Sequence, residues 1–225
     1  MSPDVLIRIQ GSVAYDDPEV AVRAAAVLGV SERARWERML PEAARRDYLA
    51  AHHLRRVMLS AITGLHPAAF RFARSAGGRP VIVRPARGIR YRASLSHADG
   101  VALCAVSEDL PLGADVESRR NLAGDLPAIA GMIAAPGECA GLAVLPEPEQ
   151  VDRFLRLWTT HEAIAKAHGV TLGSPVARRT PDAANWLVTC WALTQDHVAA
   201  LTVRRPGAGG RVTLRIEQDA AAACA

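Results

Sequence analysis

Two unbroken apolar runs constrain this chain's fold more than any other feature: GVALCAVS at residues 100–107 and HVAALTVR at 197–204. Runs of this length, bounded by turn signals, read as buried strands. Each lies downstream of a long helical region. The first such region spans about Ser31 to Thr63, with Ser31 and Glu32 as start signals and Gly64 as stop. Pro41 removes a backbone donor and divides it into two helices. The second is VDRFLRLWTTHEAIAKAHG (151–169), with His168 in its last turn and Gly169 as its stop. The matching order points to two related halves and an internal duplication.

Shorter signals fill in the rest. VLIRI (5–9) reads as a first strand, YDDPE (15–19) as a loop, GGRP (77–80) as a turn and PVIVR (80–84) as a strand. GADVE (113–117) is a strand, followed by a helical region near 125–143. NWLVTCWAL, HVAALTVRR and RVTLRIE are three closing strands, and the tail DAAAACA is expected to fray. Helices mixed with mostly adjacent strands give an α+β fold, in two pseudo-symmetric halves, each a small, mostly antiparallel sheet packed on a long helix. The expected halves are 1–110 and 111–225.

Composition excludes several classes. Half of the 225 residues are apolar and 22% are charged, as expected of a globular chain. No apolar run approaches the roughly 20 residues of a membrane span, so no membrane partner is expected. Asp4 and Arg8 within the first apolar stretch argue against a signal peptide. Cys104, Cys139, Cys190 and Cys224 are widely spaced without a C-x-x-C pair, which suits reduced thiols in a cytoplasm. The net charge of +4 would suit nucleic acid, phosphate ligands or acidic proteins; 4% aromatic content and the lack of a reader motif lower the nucleic-acid option. Of the 27 basic residues 26 are arginine, leaving Lys166 as the one compact ammonium that can release its proton.

Four constellations could carry chemistry. Asp115 and Glu117, two apart on a strand, share one face, where like charges repel unless a cation lies beside them; the alternative is a solvated strand edge. Glu162 and Lys166, four apart on a helix, are either part of a site or a surface pair worth about 0.3–0.5 kcal/mol. SLSHADG (94–100) sets Ser94, Ser96 and His97 at the entry to the first buried run, to hold a phosphate or to satisfy a turn. Arg45, Arg46, Arg55, Arg56 and Arg79 form a scattered basic set.

In order, GGRP, SLSHADG, LGADVE and LWTTHEAIAKAHG resemble the 4′-phosphopantetheinyl transferase superfamily in its long, pseudo-duplicated, surfactin-synthetase-activator type. The resemblance spans about residues 31–205, and the last two motifs are its most specific part. It implies transfer of 4′-phosphopantetheine from coenzyme A to a serine of an apo acyl or peptidyl carrier protein, leaving 3′,5′-ADP. It further implies Mg²⁺ held by Asp115, Glu117 and Glu162 against the coenzyme's phosphates, as oxygen ligands suit a hard cation. By the same resemblance Glu162 helps deprotonate the carrier serine and Lys166 stabilises or protonates the leaving phosphate. Arg46, Arg79, Ser96 and His97 would contact the coenzyme's phosphates. The length suits a two-half monomer with its site between the halves.

Three positions depart from the family pattern. His161 stands where the family has lysine before the glutamate, Ala114 where a branched residue is common, and Ala98 where serine follows the histidine. His161 is expected to be a weaker phosphate contact, since imidazole is mostly neutral above pH 7. The alternative is a coenzyme A- or carrier-binding paralogue that does not transfer.

Overall fold

The computed structural model of the chain describes residues 4–74, 80–84, 90–122 and 124–219. Its helices are α1 (Pro18–Ala26), α2 (Val30–Glu37), α3 (Glu42–Thr63), α4 (Leu126–Ile133), α5 (Pro136–Cys139) and α6 (Glu147–His168). Its strands are β1 (Val5–Gly11), β2 (Arg71–Arg74), β3 (Pro80–Arg84), β4 (Tyr91–Ala98), β5 (Val101–Glu108), β6 (Leu112–Ser118), β7 (Trp186–Ala192), β8 (His197–Arg204) and β9 (Leu214–Gln218). The fold is α+β, as expected. No described helix is long and apolar enough to cross a membrane.

The strands form a sheet of order β4-β5-β1-β9, a sheet of order β6-β8-β7 and the hairpin β2-β3. All pairings are antiparallel except β1 with β9. The two larger sheets lie face to face. Val101, Leu103 and Ala105 of β5, with Val5, Ile7 and Ile9 of β1, meet Leu112, Ala114 and Val116 of β6 and Ala199, Leu201 and Val203 of β8 in one buried cluster. The alternate residues of β5, Ala102, Cys104 and Val106, pack on Ala50, Ala51, Leu54 and Met58 of α3. The outer face of β6 and β8 lies on α6. The layers are therefore α3, first sheet, second sheet, α6. Each apolar run is buried on both faces, which is why neither alternates.

The helix limits follow the local chemistry. The Asp17 side chain caps α1 by accepting from the amides of Glu19 and Val20. Gly64 and Gly169 close α3 and α6 at φ of 72° and 70°, a left-handed conformation that glycine adopts without a Cβ penalty. Pro41 ends up between α2 and α3.

Three elements depart from the sequence expectation. YDDPE is not all loop, since its Pro18 and Glu19 open α1. SLSHA lies inside β4, joined to β5 by the two-residue turn Asp99-Gly100, both at positive φ (41° and 92°), the conformation of a tight hairpin. And β9, expected with the second half, lies in the first sheet beside β1, across the boundary drawn at residue 110. The turn at GGRP and most of the tail lie outside the described residues.

Candidate active site

The seam between the sheets is where the sequence motifs meet. Ser94 on β4 accepts from the backbone amide of Ala114 on β6 (3.0 Å), so the edge strand of the first sheet is fastened to the second through a side chain. Two residues further, Ser96 donates to Asp115 Oδ1 at 2.7 Å. Lys166 Nζ, from α6, reaches the same Oδ1 at 2.5 Å and Ser96 Oγ at 3.2 Å. Three elements, β4, β6 and α6, thus converge on one carboxylate that is 2% exposed.

Gly113 explains how α6 comes so close. A Cβ at this position would lie 2.1 Å from the Ala163 carbonyl oxygen and 2.4 Å from the Ala167 nitrogen. Gly113, Asp115 and Glu117 occupy one face of β6, so the glycine is the point of closest approach and the two acids stand beside the helix beyond it. Glu117 accepts from Trp158 Nε1 at 3.0 Å, and Trp158, Glu162 and Lys166 follow one another at four-residue steps on α6.

The electrostatics show three acids crowded around one ammonium. Burial first, and then the charge of Asp115, push the Glu117 carboxyl up to about 7, against the opposing hydrogen bond from Trp158 and the charge of Lys166. Burial likewise raises Glu162, with Lys166 opposing and Asp115 reinforcing. For Lys166 burial works against the charge, yet Asp115, by charge and hydrogen bond, outweighs it and the net shift is upward. The lysine holds its proton.

The second oxygen of Asp115, Oδ2, is buried without a partner. Among the described residues no three His, Cys, Asp or Glu side chains are gathered closely enough to ligate a metal as they stand. The donor set still fits a hard divalent cation. An orphaned carboxylate oxygen and two further carboxylates with raised proton affinity form a site with an excess of negative charge, all of it oxygen.

Ser96 and Lys166 also form part of the wall of a cleft of about 910 Å³ between α2, α3, β4 and the end of α6. His97 faces it, edge-on to the Tyr48 ring with centroids 6.3 Å apart. Burial first, then the nearby Lys166 and Arg35, lower the His97 pKa, with Asp47 opposing. Arg35 and Arg38, at the end of α2, also line the cleft. Neither makes an ion pair among the described residues, whereas Arg55 is bound to Glu32 at 2.6 Å. The cleft is cationic: Arg35 lies over the Tyr48 ring, 5.5 Å from its centroid, and no carboxylate neutralises either arginine among the described residues.

Two expected phosphate contacts lie elsewhere. His161 is 1% exposed; its Nδ1 meets the Ala177 carbonyl at 2.6 Å and its Nε2 faces Glu138 at 3.4 Å. An imidazole with both nitrogens engaged in the second half's interior presents no face to the cleft, which corrects that expectation. Arg46 pairs with Asp16 at 3.0 Å and donates to Ser12 Oγ at 3.0 Å, and it does not line the cleft. Arg79 lies outside the described residues. Sequence reasoning missed Arg35 and Arg38. The signal was present in SERARWER, where two arginines three apart share one helical face.

The chain is similar to known proteins. Residues 111–222 match the 4′-phosphopantetheinyl transferase superfamily. The chain is 32% identical over 163 residues to the 4′-phosphopantetheinyl transferase HetI of Nostoc sp. strain PCC 7120, an alignment covering 70% of this chain. The chain spans 66% of that relative's length. The motif residues Asp115, Glu117, Glu162 and Lys166 fall inside the matched region. The chain belongs to the 4′-phosphopantetheinyl transferase superfamily.

Proposed function

We propose that this protein transfers 4′-phosphopantetheine from coenzyme A to a serine of an apo acyl or peptidyl carrier protein, giving the holo-carrier and 3′,5′-ADP. The observation that carries the reading is the convergence of Ser96, Asp115 and Lys166 at the head of a cationic cleft. Arg35, Arg38, Ser96 and His97 would hold the coenzyme's phosphates. The serine oxygen bonds to the phosphorus that bears pantetheine, and the bridging oxygen leaves with the adenosine moiety. Glu162, whose proton affinity is raised by burial, accepts the serine proton. Lys166 remains an ammonium and stabilises negative charge on the leaving phosphate, which favours stabilisation over proton donation.

Asp115, Glu117 and Glu162 would hold Mg²⁺, which when bound neutralises pyrophosphate charge. Arg35, Arg38, Ser96 and His97 come from the first half and Asp115, Glu117, Glu162 and Lys166 from the second, so one chain supplies the whole site, which supports action as a monomer. The like layering of the two halves supports reading them as a duplicated unit of the long family type.

The test is to incubate the protein with coenzyme A, Mg²⁺ and an apo carrier protein and to weigh the carrier by mass spectrometry. A phosphopantetheine adduct supports transfer. Coenzyme A binding with an unmodified carrier across a panel of acyl and peptidyl carriers contradicts it.

A further inference from the structure

The tip of the β4-β5 hairpin is gripped by a closed ring of hydrogen bonds that no part of the proposed chemistry uses. Asp47, on α3 and 4% exposed, accepts from the Gly100 amide through Oδ2 at 3.0 Å and from Ser12 Oγ through Oδ1 at 2.5 Å. The ring closes because the Ser12 amide donates to the Gly100 carbonyl at 2.7 Å. Gly100 is thus held through both its amide and its carbonyl, at a turn whose backbone stands at φ of 92°. Arg46 backs the ring from outside, donating from Nε to Ser12 Oγ at 3.0 Å while Asp16 holds its Nη1.

The residue next to Asp47 is Tyr48, whose ring meets that of His97. Two consecutive side chains of one helix therefore fix the hairpin tip and the imidazole three residues before it. Since β4 and β5 are in register through Ala98 and Val101, a shift of the tip is transmitted along the strand to His97. The opposite side of the tip is secured by the second half, where His197 Nε2 donates to the Ala98 carbonyl at 3.2 Å and Ser118 donates to Asp99 at 3.1 Å. Only the Asp47 side carries a buried carboxylate with both oxygens committed to the tip and its partner.

We propose that Asp47 is a positioning residue that acts through His97, setting the imidazole's place in the cleft and thereby the affinity for the coenzyme's phosphates. The inference rests on the proposed use of the cleft for coenzyme A. Asp47→Asn keeps the size but has one acceptor oxygen where the ring needs two, so a buried donor at the tip loses its partner.

The experiment measures coenzyme A binding by calorimetry and transfer kinetics for wild type, Asp47→Asn, His97→Ala and the double variant. Expected for Asp47→Asn is a KM for coenzyme A raised about tenfold with kcat within about twofold. In the His97→Ala background the same change should have no further effect on KM, because coupled residues are not additive. A role in folding alone would lower the melting temperature and leave KM unchanged, and full additivity with His97→Ala would mean a separate route; either overturns the proposal. Should Asp47→Asn fail to fold, Ser12→Ala removes one bond of the ring with the carboxylate intact, and it should raise KM in the same direction; an unchanged KM there overturns the proposal. Wild-type protein that binds no coenzyme A overturns the reading of the cleft, and this inference with it. Wild type that binds normally beside an unaltered Asp47→Asn overturns the inference alone.

Discussion

Lys166, the one lysine of the chain, places its ammonium 2.5 Å from Oδ1 of Asp115, a carboxylate with its other oxygen buried and unpartnered. The pair joins α6 to β6, and Ser96 adds β4 to the same oxygen. An arginine could supply the charge but not the shape. Its guanidinium is wide and planar, and Gly113 has already brought the helix as close as backbone contact allows.

Lys166→Arg should therefore lower turnover at least about tenfold, equivalent to roughly 1.4 kcal/mol of barrier, with coenzyme A affinity much less affected. Transfer kinetics on the folded variant check this. Turnover within twofold of wild type would show that Lys166 is an interchangeable cation.

Removing divalent metal with a chelator should abolish transfer, and Mg²⁺ should restore it. Glu162→Gln keeps the shape but is a poor ligand for a hard cation. It should lose transfer at limiting Mg²⁺ while its circular dichroism matches wild type. Near-normal turnover there removes Glu162 from the ligand set.

Gly113→Ala forces a methyl group into the Ala163 and Ala167 backbone, which cannot rotate aside. A cost of about 3 kcal/mol in stability is expected from overpacking of this kind, read as a shift in the urea midpoint. Unchanged stability would mean that α6 can withdraw from β6 freely.

How legible was this site beforehand? The two apolar runs and the i, i+2 acids of β6 were plain, because strand alternation puts Asp115 and Glu117 on one face whatever they pack against. The role of β4 was not. YRASLSHA alternates as an ordinary edge strand does, with Tyr91, Ala93 and Leu95 on the α3 side, and nothing in that pattern says that Ser94 and Ser96 bind β6 instead of water. The placement of β9 beside β1 depends on a pairing across more than 200 residues, which no local pattern encodes. His161 was misplaced for a geometric reason. One step along a helix turns a side chain by about 100°, so the neighbour of a site residue points into the core as readily as into the site.

That correction has its own consequence. His161→Gln should leave the pH dependence of the coenzyme A KM parallel to wild type while costing about 1–3 kcal/mol in stability through a weakened buried hydrogen bond. A flattened pH profile would return His161 to the cleft.

Acid should loosen the first half. Glu32 is held well below the usual carboxylate range, where bonds and charges from His52, Arg55 and Arg56 overcome its burial. Burial, with the Arg55 charge behind it, lowers His52 to about 4 despite its bond to Glu32. Between pH 4 and 6.5 the unfolded chain carries a proton on residue 52 that the folded chain refuses, so this histidine's contribution to stability rises with pH across that window. His53 and His97 are shifted in the same direction. Each such histidine contributes a slope of up to about 1.4 kcal/mol per pH unit. Glu117 and Glu162, raised in the fold, slope the other way, so the readout is a difference: in urea unfolding from pH 4.5 to 7.5, His52→Gln should gain less stability with pH than wild type, and an unchanged slope removes His52 as a source.

The most direct test of the whole account counts both products at once. With coenzyme A, Mg²⁺ and an accepted apo carrier, 3′,5′-ADP released and holo-carrier formed should appear one to one with wild-type protein, and neither should appear with Asp115→Asn. Coenzyme A cleaved without modification of the carrier, or wild-type rates from Asp115→Asn, would contradict it.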